Sequence, residues 1–597
     1  MSKNFTNQIN VMIESAYLAM KAGRENEVKK IYENLTKNSS NDPVFANIFA
    51  QIALQNNQIT QGIIWLEKSL EVKNDQPDAF LNLGTAFSEI NQFENALDCL
   101  TESIKLDKTN PLAYFNQGVV YRHLNQFDNA LNSYKNALKI NPEYVDALNG
   151  IGRIFHLNNE FNEAIKYYDK AIQFQPNYFE VIYNKSIALQ ELNRYDEALI
   201  CFDSAIQLNP GYHKAYNGKG SALFKLNRYD EALICFDSAI QLSPGYHEAY
   251  NNKGCTFCEL KRYDEALICY DHAIKVKPDD ASGYWNKSLL KLLIGEYEEG
   301  WKLYEWRCQN EKYKSNYKFY LQPLWLGKES LQDKIILVEA EQGLGDIIQF
   351  CRYIPMLENI GAKVILETPK ELISIISSLN GNFLIVEKNQ SINHFDYHIP
   401  IMSLPLALKT TIHNIPTSIP YLFSDKIKKE YWNKKLTKKT KPRIGLVWSG
   451  LNTHENDKNR SLLLKDLEPI IKLPFDFHSL QKEIRKSDQK TLFEFKQIHQ
   501  HQDELIDFSD TAALIEEMDL IISVDTSVAH LAGALGKDVW ILLPYHPDYR
   551  WMLDRNDSPW YPTCTLFRKS RIDDWAEVFF EIIFNLKNKF QLNTTVY

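Results

Sequence analysis

Residues 192–217 read LNRYDEALICFDSAIQLNPGYHKAYN, and residues 226–251 read LNRYDEALICFDSAIQLSPGYHEAYN. The second stretch begins 34 positions after the first and departs from it only at the positions of Asn209 and Lys214. The same period runs through the first half of the chain, where a small residue returns in every unit. These small residues are Ala16, Ala50, Gly84, Gly118, Gly152, Ser186, Gly220, Gly254 and Ser288. A repeat of this length predicts a solenoid in which each unit packs only on its neighbours.

Each unit also carries an aromatic residue three positions before a second small residue. The aromatic residues are Phe93, Phe127, Phe161, Tyr195, Tyr229, Tyr263 and Tyr297. We expect two helices in each unit, held close by the small residues, with prolines such as Pro142 and Pro176 beginning the next unit. The pattern resembles tetratricopeptide repeats, nine of them, over residues 1–310.

Asparagine recurs two positions before the small residue in most units. The asparagines are Asn82, Asn116, Asn184, Asn252 and Asn286, and the series is interrupted at Gly150 and Gly218. An amide both donates and accepts hydrogen bonds, so such a ladder can pair with successive peptide groups of an extended protein ligand. A similar ladder occurs in the tetratricopeptide arm of O-linked N-acetylglucosamine transferases. The alternative interpretation is that asparagine is a common polar residue at this helix position.

Composition and charge limit the classes of partner. The chain has 597 residues and a net charge of −9, without a basic block that would coat a phosphate backbone, so we expect no nucleic acid partner. No apolar run approaches the length of a bilayer span, which favours a cytoplasmic protein. The nine cysteines are an odd number, and we expect them to be reduced. Cys255 and Cys258 form a CxxC pair without a second half-site, so no metal is predicted.

The second half of the chain changes to strands, turns and helices. IILVEAEQGLGDIIQFCRYIPML at residues 335–357 is typical of a buried strand, a glycine turn and an amphipathic helix. A second α/β unit restarts with RIGLVWSG at residues 443–450. We predict two lobes, at residues 311–425 and 443–597, joined by a lysine-rich solvated linker at residues 426–442. Two such lobes form a cleft.

The segment DLIISVDTSVAHLAGALGK ends a strand at Val524 and begins a helix near Thr526. We expect Thr526 or Ser527 to cap this helix. Free N–H groups and the positive end of the helix dipole favour binding of a phosphate at this helix start. His530 lies one turn into the helix and is expected to face the same phosphate site. The alternative is that Asp525 and Thr526 only cap a helix and that His530 is a packed core residue.

Two of these motifs carry a more specific resemblance. GLGD and SVDTSVAHLAGALGK resemble the two signatures of heptosyltransferase-type glycosyltransferases, the family-nine group with a GT-B fold of two Rossmann-like lobes. The resemblance covers about residues 335–570 and is strongest to a bacterial subgroup in which this domain follows a tetratricopeptide array. It implies that Asp346, in the turn of Gly343 and Gly345, is the catalytic base. It implies further that the donor phosphates are bound by Asp525, Thr526, Ser527 and His530.

A lysine of that family, in the loop after the first strand of the second lobe, has only a loose counterpart in NTHENDKNRS. We assign Arg460 first and Lys458 second as the cation for the leaving phosphate. Solvated side chains on a polar loop are the alternative. Ser449, Gly450 and Gln481 lie at strand ends that should face the donor side of the cleft.

These features predict an inverting, metal-independent protein O-glycosyltransferase that needs no cofactor. It would move a sugar from a nucleotide-sugar donor to Ser or Thr of a protein held by the repeats. The architecture resembles flagellin glycosyltransferases, which implies flagellin as an acceptor and a CMP-linked nonulosonic acid as a donor. UDP-, GDP- and ADP-sugars and other secreted acceptors stay open. The alternatives are a tetratricopeptide scaffold with a degenerate sugar-nucleotide domain, and a heptosyltransferase that acts on a glycan.

Overall fold

A computed structural model describes residues 3–21, 24, 27–28, 30–31, 34, 43–310, 318, 320–392, 394–436, 438–453, 456–571 and 574–592. The chain divides into two compact units, Met1–Pro244 and Gly245–Tyr597. Helical repeats fill the first unit and begin the second, and α/β structure completes the second.

The first unit consists of helices that follow one another in pairs. Their bounds are α1 (Lys3–Lys21), α2 (Pro43–Gln55), α3 (Ile59–Val72), α4 (Pro77–Glu89), α5 (Phe93–Leu106), α6 (Pro111–His123), α7 (Phe127–Ile140), α8 (Val145–Leu157), α9 (Phe161–Phe174), α10 (Phe179–Glu191), α11 (Tyr195–Leu208), α12 (His213–Lys225) and α13 (Tyr229–Leu242). The aromatic residue of each unit is the first residue of its second helix, as at Phe93 and Tyr195. The predicted solenoid of paired helices is confirmed.

Each pair turns at one residue in the left-handed backbone region. In the first unit these residues are Asn57, Asn91, Asn125, Asn159, Asn193 and Asn227, with φ between 58° and 62°. Asparagine tolerates this conformation better than other non-glycine residues do. The recurring asparagine thus ends the first helix of each pair and sets the entry to the second.

Four glycines of the small-residue series, Gly118, Gly152, Gly220 and Gly254, admit an aromatic ring from the partner helix. A Cβ atom at Gly118 would lie 2.6 Å from Tyr134 Cε1, and one at Gly152 would lie 2.5 Å from Tyr168 Cε1. Tyr134 and Tyr168 are both almost fully buried. The expected close approach of the paired helices is therefore confirmed, and its reason is the ring that fills the place of the missing side chain.

The second unit opens with further repeat helices and continues with shorter ones between strands. Their bounds are α14 (His247–Glu259), α15 (Tyr263–Val276), α16 (Ala281–Leu293), α17 (Tyr297–Tyr304), α18 (Leu344–Phe350), α19 (Ile354–Asn359), α20 (Lys370–Ile376), α21 (Leu404–Ala407), α22 (Lys426–Lys435), α23 (Asp457–Arg460), α24 (Glu468–Ile471), α25 (Lys486–Glu494), α26 (Phe508–Glu516), α27 (Ser527–Ala534) and α28 (Ala576–Lys589).

Two parallel sheets form the α/β part of the second unit. The strands are β1 (Ile335–Glu339), β2 (Lys363–Thr368), β3 (Leu384–Glu387), β4 (Tyr397–Pro400), β5 (Arg443–Val447), β6 (Asp476–Ser479), β7 (Ile498–His499), β8 (Leu520–Val524), β9 (Val539–Leu543) and β10 (Cys564–Arg568). The first sheet has the order β3-β2-β1-β4, and the second has the order β10-β9-β8-β5-β6-β7. Strands β5, β8 and β9 are buried along their whole length, as expected for parallel strands covered on both faces. The α/β architecture predicted for this half is confirmed, and the GT-B assignment stays a prediction.

Aromatic residues of the last repeat pack on the α/β part of the same unit. Trp301 of α17 contacts Phe350 and Tyr549 edge to face, with ring centroids 6.2 and 5.8 Å apart. Tyr297 lies 6.3 Å from the ring of Trp560. All five side chains are almost completely buried. The last repeat therefore shares a core with the α/β structure.

The segment predicted as a solvated linker contains helix α22. Its Trp432 is buried, and its Lys428 lies 2.9 Å from carboxylate oxygens of both Asp507 and Asp510. Lys428 thus contacts an acidic helix start in the second lobe, and the buried Trp432 anchors the helix.

Candidate functional site

The two motifs singled out from the sequence meet in the second unit. The glycine turn follows β1 and begins α18, while Thr526 follows β8 and begins α27. A Cβ atom at Gly345 would lie 2.9 Å from His530 Cδ2 and 3.4 Å from Ser527 Cα. The absence of a side chain at Gly345 allows the two helix starts to touch, so the lobes place both motifs in one site.

Asp346 is held through both oxygens of its carboxylate. Oδ2 accepts a hydrogen bond of 2.8 Å from the Gly343 amide, which caps α18, and Oδ1 forms an ion pair with the Arg550 guanidinium. The side chain is 17% exposed. Burial raises the pKa of Asp346, and the positive charge of Arg550 opposes that rise. Asp346 therefore caps its helix, and its second oxygen faces the other lobe.

Arg550 is a site residue that sequence reasoning missed. Its Nε donates to Gln349 Oε1 over 2.7 Å, and its Nη1 donates to Asp548 Oδ1 over 2.8 Å. The side chain is only 8% exposed. It follows β9, whose carboxyl end lies at the same sheet edge as that of β8. Inspection of charged residues after every strand of this sheet, rather than after β8 alone, would have found it.

His530 and Asp525 are buried next to each other. His530 stacks on Trp551 with ring centroids 5.4 Å apart, and its Nδ1 lies 3.1 Å from the Tyr561 hydroxyl. Its Nε2 lies 3.8 Å from Asp525 Oδ1. Burial lowers the pKa of His530 well below its usual range, and Arg550 adds to this, so the ring is neutral at pH 7. Burial and then the Asp548 carboxylate raise the pKa of Asp525 to about 6.

Thr526 occupies the N-cap position of α27 without capping it. Its hydroxyl lies 3.3 Å from the Ser523 hydroxyl, and no side chain of the described residues accepts from the first amides of the helix. Ser527, the alternative cap, is the first residue of the helix. The predicted capping bond is thus wrong, because Thr526 pairs with a neighbouring hydroxyl instead. The start of α27 keeps hydrogen-bonding capacity for an anion.

Arg460 and Lys458 have different surroundings. Arg460 Nη1 donates to the Asp525 carbonyl over 3.0 Å, and Arg460 Nη2 would lie 2.7 Å from a Cβ atom at Gly450. Lys458 is exposed. The structure therefore brings Arg460 to the predicted donor side, with Gly450 making room for its guanidinium.

Gln481 and Ser449 join the ends of β6 and β5. Gln481 Oε1 accepts from the amides of Trp448 and Ser449 over 3.1 and 3.0 Å, and its Nε2 donates to Ser449 Oγ over 3.0 Å. The two predicted residues are thus brought together. The two residues hydrogen-bond to each other, and these bonds fix the loop that leads to Gly450.

Several amides of the asparagine ladder bond to a neighbouring repeat. Asn116 donates to Thr85 Oγ1 over 2.9 Å, and Asn184 donates to Asn149 Oδ1 over 3.0 Å. Within the second unit, Asn286 donates to Asn251 Oδ1 over 3.0 Å. Asn82 and Asn252 are half-buried. The ladder therefore helps to stack the repeats, and its predicted role in peptide binding stays a prediction.

Two further observations concern the cysteines and the apolar character of the helices. All nine cysteines are free thiols, and Cys255 and Cys258 both contact the Tyr270 hydroxyl in the helix packing. Among the helices that the structure describes, none has the length and apolar character required to span a bilayer.

Comparisons with known proteins concern the repeats. Tetratricopeptide repeat models match residues 77–110, 111–144, 145–178, 183–247 and 247–280. Protein FlbA of Caulobacter vibrioides is 24% identical over a match of 309 residues that covers 48% of this chain. The chain spans about half of that relative, 51% of its length.

Solved structures resemble part of the chain. YrrB, a tetratricopeptide repeat protein with an unusual peptide-binding site, is 26% identical, covers 32% of this chain and 98% of its own, and gives a TM-score of 0.28. MamA is 25% identical, covers 27% of this chain and 94% of its own, and gives a TM-score of 0.26. PilF of Pseudomonas aeruginosa is 18% identical, covers 35% and 94%, and gives a TM-score of 0.32. The family models establish tetratricopeptide repeats over residues 77–178 and 183–280.

Proposed function

We propose that this protein is a glycosyltransferase that moves a sugar from a nucleotide-sugar donor to a protein bound by its repeats. The observation that carries the proposal is the contact of the two helix starts at Gly345 and His530, with carboxylates and guanidinium groups around it. Loops at the carboxyl ends of parallel strands are where α/β proteins receive phosphorylated ligands. Tetratricopeptide repeats supply the protein-binding half.

Asp346 is the proposed base. It takes the proton of an acceptor Ser or Thr hydroxyl while that oxygen attacks the anomeric carbon of the donor. The bond from the anomeric carbon to the phosphate oxygen breaks, and the nucleotide leaves with the electron pair. This step requires that Oδ1 of Asp346 be released from Arg550, because an ion-paired carboxylate is a poor base.

Arg550 is the group that would change partners. Its guanidinium lies between Asp346 and Asp548, and a donor phosphate competes with both carboxylates for it. Arg460 and the amides at the start of α27 supply further positive potential for the leaving nucleotide. The donor thus frees the base and is held by the same arginine. No cofactor or metal enters this proposal.

The repeats lead us to propose a protein as the acceptor. An extended segment of a protein lies along the array, and its Ser or Thr reaches Asp346. Flagellin and a CMP-linked nonulosonic acid follow from the resemblance to flagellin glycosyltransferases. Other secreted proteins and UDP-, GDP- or ADP-sugars fit the same chemistry.

A non-enzymatic scaffold is the second candidate. The observation that favours it is the engagement of both oxygens of Asp346, by the Gly343 amide and by Arg550, since a purely structural turn needs no more than that. In this case the α/β part would bind a sugar nucleotide without transfer.

The decisive experiment compares intact masses of secreted proteins, flagellin included, from cells that lack the chain and cells complemented with it. The complements are the parent, Asp346→Asn and Asp466→Asn, which removes a capping carboxylate from the turn at Leu464–Leu467. We expect a sugar-sized mass with the parent and Asp466→Asn and its loss with Asp346→Asn. If no protein changes mass in any strain while the purified chain still binds sugar nucleotides, the scaffold is favoured. If a glycan changes mass between the strains and no protein does, the chain is identified as a heptosyltransferase.

A further inference from the structure

Four metal-ligating side chains alternate along two neighbouring strands of the second sheet. Asp476 and His478 lie in β6, and His499 and His501 lie at the end of β7 and just beyond it. His478 pairs with His499 in the parallel register. Because side chains two positions apart share a face of a strand, Asp476, His478 and His499 belong to one face at the edge of this sheet, and His501 Nε2 lies 3.0 Å from His478 Nδ1.

Three of the four residues offer ligand atoms that converge. One atom each of Asp476, His478 and His499 lies within 4.8 Å of the other two. Asp476 Oδ1 and His499 Nε2 are 3.6 Å apart, and the rings of His478 and His499 stack with centroids 4.8 Å apart. Ligands of a tetrahedral Zn²⁺ ion lie about 3.3 Å from one another at bond lengths near 2.0–2.1 Å. Small side-chain rotations of the half-exposed Asp476 and the exposed His499 close this difference.

His478 has an unused nitrogen in a buried position. The residue is 3% exposed, and Nε2 has no hydrogen-bond partner among the described residues. Its Nδ1 lies 3.0 Å from His501 Nε2. An unpaired buried polar atom is unfavourable unless something binds it. His501 thus orients the imidazole ring of His478, and the Nε2 atom of His478 stays available for a ligand.

Burial affects the protonation of two histidines of the cluster, His478 and His501. Burial lowers the pKa of His478 to about 3 and that of His501 to about 4. Arg443 and Lys435 add to the lowering, whereas Glu504 opposes it at His501. A neutral imidazole is the form that binds a metal.

We propose that Asp476, His478 and His499 bind a divalent transition-metal ion, with Zn²⁺ as the ion that this ligand set suits best. Two imidazoles and one carboxylate favour Zn²⁺ over Mg²⁺ or Ca²⁺, which prefer oxygen ligands. His501 is a positioning residue that fixes the His478 ring. The ion ties the short edge strand β7 to β6, whose end leads to Gln481.

This site is independent of the proposed glycosyl transfer, because it uses none of the residues around Asp346. The metal-free 597-residue chain is titrated with Zn²⁺ by calorimetry and with Co²⁺ by visible absorption. We expect one equivalent of Zn²⁺ and the Co²⁺ bands of a site with nitrogen ligands. His499→Ala should abolish both signals, whereas His394→Ala, at an exposed histidine of the first lobe, should leave them unchanged.

His501→Ala separates a metal site from a packing cluster. We expect it to weaken Zn²⁺ binding by about 10–100-fold while the Co²⁺ bands persist. His499 is 53% exposed, so His499→Ala folds, and circular dichroism of the metal-free variants checks this. The proposal is overturned if the folded parent binds no Zn²⁺ at micromolar concentrations, or if His499→Ala binds it with the affinity and stoichiometry of the parent.

Discussion

Arg550 of the second lobe and Asp346 of the first form a buried ion pair, although 204 positions separate them in the chain. Asp548 shares the same guanidinium, and Gln349 accepts from its Nε. The pair therefore links the glycine turn of one sheet to the loop after β9 of the other. Both the enzymatic proposal and the scaffold proposal depend on what this pair does.

The pair should show energetic coupling. We expect Asp346→Asn and Arg550→Met each to destabilise the protein, because each leaves a buried charged group with fewer partners. Their double mutant should be less destabilised than the sum, with a coupling energy of about 0.5–3 kcal/mol in unfolding experiments. Strict additivity would mean that the two side chains do not interact in solution.

Gly345 should not tolerate a side chain. Alanine usually stabilises a helix relative to glycine. Here its Cβ would press on His530 at 2.9 Å, so Gly345→Ala should instead lower the free energy of unfolding by about 1–3 kcal/mol. The control is Gly245→Ala, where an added Cβ meets no described atom within 4 Å and the change should stay within about 0.5 kcal/mol. A stabilised Gly345→Ala protein would contradict the contact between the two helix starts.

Asp525 should make stability depend on pH. Its pKa of about 6 in the folded protein lies above the value of about 3.9 for an unfolded chain. The folded state therefore binds the proton more tightly, and the stability that Asp525 contributes below about pH 4 is lost as the pH rises through about 6. We expect Asp525→Asn to gain in melting temperature relative to the parent between about pH 5 and pH 7. A difference that stays constant over this range would argue against the raised pKa.

The asparagine ladder allows repeat stacking to be separated from ligand binding. Asn184→Ala should cost about 0.5–1.5 kcal/mol, because the bond to Asn149 is lost. Asn82, in the part of the chain that the structure describes, forms no such bond to another repeat, so Asn82→Ala should be almost neutral for stability. If the ladder binds an extended acceptor, both variants should weaken capture of the protein that carries the sugar. Unchanged capture by a stable Asn82→Ala protein would limit the ladder to stacking.

Local signals in the sequence were sufficient for most of the fold. The helix pairs could be placed because Gly118 and its counterparts recur with the aromatic rings that fill them. The asparagines with a left-handed backbone conformation, such as Asn193, recur with the same regularity and mark the turn between the two helices of each pair. Strands β5 and β8 are apolar runs that stay buried on both faces.

The site could be predicted only in part. Asp525 follows β8 directly, and Asp346 and His530 lie in the helices that come after β1 and β8, so the motifs locate them. Arg550 could have been found as a charged residue after β9, but its ion pair with Asp346 depends on how the two sheets dock, which no local pattern encodes. Thr526 illustrates a different limit, since the choice between capping the helix and pairing with Ser523 is made by neighbouring hydroxyl geometry. The alternation of His499 and His501 was readable from the sequence, but its partner strand was not.

The shared core of Trp301 with Phe350 and Tyr549 has an evolutionary consequence. The final repeat cannot be exchanged without repacking the α/β part, whereas earlier units such as residues 192–217 and 226–251 are nearly interchangeable copies. Duplication can therefore lengthen the array upstream, one unit at a time, while the packing of the α/β part stays unaltered. Such a chain can therefore change the number of its repeats more readily than it can change the junction between the last repeat and the α/β part.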